Sequence, residues 1–244
     1  MPFIKRIALL CCLVVFAQTL WAADYAREKK WADEITPAIV SGEPLYLEAQ
    51  GHKFLAIFTP VADAKLALVV VHGLGIHPDW GMISTLRTQL ADQGYATLAI
   101  QMPILANDAK AEAYPVTFPE ASKRIAAAVN FLHDKGYAKV AIVSHSMGSR
   151  MSRVYVVTHP NEVVGWASLG IGGGDTYAGI KVPVLDLYAE NDLPMVLAGT
   201  KKRAASLRHK VGSKQMRIAQ TDHFYDHHET EMVKAVKDFL DSIH

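Results

Sequence analysis

The sequence predicts an α/β fold, with a mostly parallel sheet covered by helices on both faces. Three observations carry that expectation. Short β-branched runs alternate along the 244 residues with segments whose apolar positions recur at helical spacing. The runs are continuously apolar, as strands buried on both faces require. Glycines, serines, acids and histidines gather just after the strands, where open sheets of this kind bind ligands.

The first residues are set apart. Lys5 and Arg6 precede an apolar stretch, Ile7 to Ala17, and "TLWAADY" then offers a small-residue cleavage site after Ala22. That pattern reads as a secretory signal peptide, residues 1–22. The stretch falls short of the roughly 20 apolar residues that span a bilayer, so no stable membrane span is expected in the mature form. A retained membrane anchor is the other reading, because Leu20 is not the ideal residue three before the cut. Both cysteines, Cys11 and Cys12, lie in this segment, leaving residues 23–244 as one cysteine-free domain held by core packing. Export without disulfides fits a bacterial periplasm, or secretion beyond the cell. Without Lys5 and Arg6 the acids and bases nearly balance, so neither nucleic acid nor an anionic membrane is an expected partner.

A polar amphipathic lead runs from Asp24 to Ile35. "LYLEAQGHKFLAIFTP" reads as two strands around a turn at Gly51, the antiparallel start of the sheet. "LALVVVHG", Leu66 to Gly73, is a doubly buried strand. A helix follows from Met82 to Gln93, closed by Gly94; then come the strand "ATLAIQMP" and a helix from Phe118 to Lys135, capped at Gly136. "KVAIVS" is a strand and Met147–Thr158 a helix. "VVGWASLGI" and "VPVLDLYA" are strands, Pro194–Lys210 a helix, "KQMRIAQ" a strand and Glu229–Ile243 a closing helix. Strands joined through helices imply right-handed crossovers.

The loops after the strands hold a constellation. "SHSMG" places Ser146 between small residues at Ser144 and Gly148, the spacing of the strained elbow that exposes a nucleophilic serine between strand and helix. Ser144 departs from the usual first glycine by a hydroxymethyl group. The competing reading is a polar turn in which Ser146 caps the helix. A serine hydroxyl needs a base, and the base an orienting acid. Asp192, in "YAENDLP", is the expected acid; Glu190, Asp186 and Asp175 are rivals, and a helix cap is Asp192's bland role. His223, in "TDHF", is the expected base, with His227 and His228 assigned to the start of the last helix. His223 and His227, four apart near Asp222, Asp226 and Glu229, also allow a metal reading; no metal or other cofactor is expected. The amides of Met147 and of Leu74, in "HGLG", are the expected oxyanion donors. Gly73 and Gly75 give that loop its freedom and are expected to border the substrate, and His72 is assigned structural hydrogen bonds. His145 is expected to point away from the nucleophile. Tyr114 and Phe118, with His77 and Trp80, are candidate pocket walls.

Taken together, "HGLG", "SHSMG", "YAENDLP" and "TDHF" resemble the oxyanion loop, nucleophile elbow, acid loop and histidine loop of the α/β-hydrolase superfamily. The order is the same, over nearly the whole mature chain. The stretch "HGLGIHPDWGMISTLRTQLADQGYATLAIQMP" more narrowly resembles exported bacterial proteins of the DUF3530 type. The resemblance implies an α/β-hydrolase fold without a large lid domain. It also implies a serine hydrolase, expected to cleave a carboxylic ester of small to medium acyl group through Ser146, His223 and Asp192. A serine peptidase or amidase on the same triad, and a non-catalytic binding protein on the same fold, are the alternatives, because the fold hosts all three.

Overall fold

The computed structural model describes residues 23–243; the expected signal peptide and both cysteines lie outside the described residues. Helix α1 (Tyr25–Ile35) opens with the Asp24 side chain accepting from the Arg27 amide at 3.0 Å. It is tied to the body by the buried Glu28, which takes two hydrogen bonds from Arg124. Next come β1 (Glu43–Ala49), β2 (His52–Thr59), β3 (Ala67–Val71), α2 (Gly81–Asp92), β4 (Ala96–Ile100) and α3 (Phe118–Asp134). The second half runs β5 (Val140–His145), α4 (Met147–Thr158), β6 (Gly165–Leu169), β7 (Val184–Asn191), α5 (Pro194–Leu197), α6 (Thr200–Leu207), β8 (Lys214–Asp222) and α7 (Glu229–Leu240).

The eight strands form one sheet in the order β1-β2-β4-β3-β5-β6-β7-β8. The first hairpin is antiparallel and β2 joins β4 antiparallel, while every pair from β4 to β8 is parallel. The continuous apolar runs have their cause here. On β3, Val69 and Val71 face the layer built from α3 and α4, whereas Leu68 and Val70 face the layer of α2 and α7. A strand walled on both sides has no position left for a polar side chain.

One expected element differs. The helix expected over Pro194–Lys210 is two helices, parted at Ala198 and Gly199. The carbonyls that a continuous helix would use there are taken by side chains: Arg203 Nη1 donates to Val196, and the Thr200 hydroxyl to Leu197. The segment from Ile104 to Phe118 contains a 3₁₀ stretch at Ala111–Thr117.

Candidate active site

β5 ends at His145 and the backbone then turns sharply. Ser146 sits at φ 54°, ψ −121°, a left-handed conformation rare for a residue with a side chain. Holding it costs on the order of 1–3 kcal/mol, and the surroundings impose it. Its amide donates to the Leu169 carbonyl at 2.8 Å, fixing the elbow to the end of β6. Gly148 has no room for a side chain, because a Cβ there would lie against the carbonyls of Val71 and His72. Ser144 is fully enclosed, and its hydroxyl accepts from the Trp166 indole at 2.7 Å and bonds the Ser149 hydroxyl at 3.1 Å. A glycine at 144 would leave that indole N–H without its partner.

The Ser146 hydroxyl makes no helix-capping bond. It lies 2.9 Å from His223 Nε2, and His223 Nδ1 lies 2.5 Å from Asp192 Oδ1. A carboxylate only accepts, so the imidazole carries its proton on Nδ1 and presents the Nε2 lone pair to the serine. Burial opposes ionisation of Asp192. The His223 hydrogen bond and charge, with the amides of Ala189 and Leu193, outweigh it and hold the carboxyl below its usual range. Gly170, at φ 58°, makes space for the ring, since a Cβ there would stand 2.9 Å from His223 Cε1.

The turn at Gly73 and Leu74 is set by His72. The Met102 amide donates to its Nε2 at 2.9 Å, which forces the ring proton onto Nδ1, and Nδ1 donates to the Gly73 carbonyl at 2.8 Å. Burial lowers the His72 pKa to about 3, so the ring stays neutral. In one trans peptide the C=O and N–H point opposite ways. With the Gly73 carbonyl turned towards His72, the Leu74 N–H is turned away from it, on the side where Leu74 lines a cavity. Neither the Leu74 nor the Met147 amide donates to an acceptor among the described residues.

That cavity, about 270 Å³, opens over Ser146 and His223. Its walls are apolar: Leu74 and Met147, then Leu193, Met195 and Val196 from the acid loop and α5, and Phe224 beside His223. The expected walls lie elsewhere. Tyr114 is buried, its hydroxyl accepting from the Leu105 amide, and Phe118 lies under the Arg150 guanidinium. His77 packs edge-on to Trp31, and Trp80 meets the outer ring of Phe224. Gly73 abuts the Cβ of Ser146 from behind, and Gly75 turns the loop at φ 73° without reaching the cavity lining. His145, expected to point away, lines the cavity and lies with its ring 4.6 Å from that of His223 and tilted by 45°, its Nε2 donating to the His223 carbonyl. The rival acids are engaged elsewhere: Asp186 with Arg203, Glu190 with Arg217, and Asp175 with Arg150. Arg150 and Met195 had no sequence signal, because helical spacing does not say which loop closes over them.

Residues 5–123 match the family described as protein of unknown function (DUF3530). No curated protein matches the chain. Among solved structures, dienelactone hydrolase from Anabaena variabilis superposes with a TM-score of 0.72 at 18% identity, covering 83% of this chain and 98% of that one. Est1E from Butyrivibrio proteoclasticus gives 0.68 at 17% identity, covering 83% and 99%. XC6422 from Xanthomonas campestris, an α/β serine hydrolase without lid, gives 0.68 at 13%, covering 83% and 95%.

Proposed function

From a chain that has the α/β-hydrolase fold and matches DUF3530 over residues 5–123, we propose a serine hydrolase that cleaves carboxylic esters of small to medium acyl group. The observation that carries the reading is the hydrogen-bonded line Ser146–His223–Asp192, with Ser146 strained into the elbow and open to an apolar cavity. The Ser146 oxygen attacks the ester carbonyl while His223 Nε2 takes its proton. The oxyanion that forms is met by the amides of Leu74 and Met147, the latter at the N-terminus of α4 where the helix dipole favours negative charge. The imidazolium passes its proton to the departing alcohol. A water then attacks the acyl-enzyme, giving its proton to His223, and the acid leaves as Ser146 recovers its hydrogen.

The cavity volume of about 270 Å³ supports a short acyl group, and no helix intrudes between β6 and β7 to extend it. The reading is tested with a fluorophosphonate probe and p-nitrophenyl esters of increasing chain length, run beside peptide anilides. Labelling is expected in the wild type and Ser144→Gly but not in Ser146→Ala, whose ester turnover falls roughly 10⁴-fold or more. Faster turnover of anilides than of esters favours a peptidase; absence of labelling leaves a non-catalytic binding protein. For this chain, export to the periplasm or beyond the cell is part of the proposal, and signal-peptide removal is checked by the mass of the protein recovered from that compartment.

A further inference from the structure

Among the described residues, Arg150 is the one permanently charged side chain lining the cavity above Ser146. It stands one helical turn after the nucleophile on α4, about 6 Å along the axis, and helical side chains lean back towards the N-terminus. Its guanidinium is fixed from three sides. Nε donates to Asp175 at 2.8 Å, the Phe118 ring lies 5.5 Å below, and Gly173 lies flat against it, since a Cβ there would come within 3.0 Å of Cζ and Nε. The far end of the fork is not engaged in the same way. Nη1 meets only the Met147 sulfur, at 3.9 Å, and Nη2 has no acceptor among the described residues. A guanidinium so placed offers N–H donors to a cavity whose other walls supply chiefly apolar side chains.

Resting on the hydrolase reading, we propose that Arg150 is a specificity residue and that the preferred substrate is an ester bearing a carboxylate a few bonds from the scissile carbonyl. A carboxylate satisfies the free end of the fork by charge-assisted hydrogen bonds, while Asp175 holds the Nε side and keeps the fork in place. Asp175 also offsets part of the Arg150 charge, so neutralising it to asparagine, whose amide oxygen still accepts from Nε, sharpens the preference. An uncharged ester of the same shape fills the cavity but leaves those donors unpaired.

The test compares pairs of equal carbon-chain length by pH-stat: monomethyl glutarate against methyl pentanoate for a carboxylate on the acyl side, and 4-acetoxybutanoate against butyl acetate for one on the alcohol side. In the wild type kcat/KM favours the charged member of one pair. In Arg150→Met that ratio falls about tenfold or more, the size of one charge-assisted hydrogen bond, while Asp175→Asn raises it. Ratios near unity in the wild type, or a ratio unmoved in both variants, overturn the proposal and leave Arg150 as a tie to Gly173 and Asp175. Failure of the wild type to turn over any of the four esters or to label with a fluorophosphonate overturns the hydrolase reading itself, and this proposal with it.

Discussion

Ser146 and His72 show how single residues acquire a role from what surrounds them. The serine is a poor nucleophile in water, and its hydroxyl lies 2.9 Å from an imidazole whose proton is already held on the far nitrogen by Asp192. His72 acts through a peptide, donating to the Gly73 carbonyl and so turning the Leu74 amide. In the proposed hydrolysis, His72→Gln loses the Nδ1 donor and is expected to lower kcat about 10–100-fold, part of what a whole oxyanion donor is worth, with KM little changed. His72→Asn, whose amide nitrogen stands where Nδ1 stood, recovers part of that loss. Steady-state kinetics on a short p-nitrophenyl ester read both; an equal fall in the two variants excludes the peptide-orienting role.

Helices α5 and α6 are placed by a charge pair at the level of the element. Asp186 on β7 and Arg203 on α6 are both fully buried, with Arg203 Nε 2.9 Å from Asp186 Oδ2, and the same carboxylate accepts from Tyr177 and Gln215. Arg203 also holds the Val196 carbonyl, fixing the wall of the cavity. Removing one partner of such a pair strands the other charge. Arg203→Met should therefore cost about 3–5 kcal/mol in denaturant unfolding, and adding Asp186→Asn should restore part of it. A cost for the double variant equal to the sum of the two single ones would show that the pair is not coupled. The break at Gly199 belongs to the same account: Pro194–Lys210 reads as one helix in the sequence, and a buried arginine divides it.

The acid stability of the molecule as a whole follows from two neutral histidines. Burial lowers His72 and His145 each to about 3 from 6.5, so between those values the unfolded chain binds protons that the folded chain refuses. Stability is complete above about pH 6.5 and is lost as pH falls towards 3, by up to about 1.4 kcal/mol per unit for each histidine. Asp192, held below its usual range, loses its share in the same direction; Glu28, raised chiefly by burial, works against it. Guanidinium titrations from pH 7 to pH 4 are expected to show falling stability, with a shallower fall in His145→Asn. A pH-independent midpoint would mean that these rings charge in place.

The succession of strands and helices, the mostly parallel sheet and the placing of Ser146, Asp192 and His223 at strand ends were legible in the sequence, because periodicity and strand-end punctuation are local properties. Every element in the list has a counterpart, and the single split falls where a side chain from a later turn intervenes. The walls of the cavity were not legible. Tyr114 and Phe118 have the composition of a pocket wall and are packed elsewhere, while Met195 reaches the site from a separate element, and the turn of His145 and Arg150 towards the cavity is set by the segments packed against them. Which side chains share a space depends on how layers pack, and packing is a relation between distant segments; only the tertiary structure decided it.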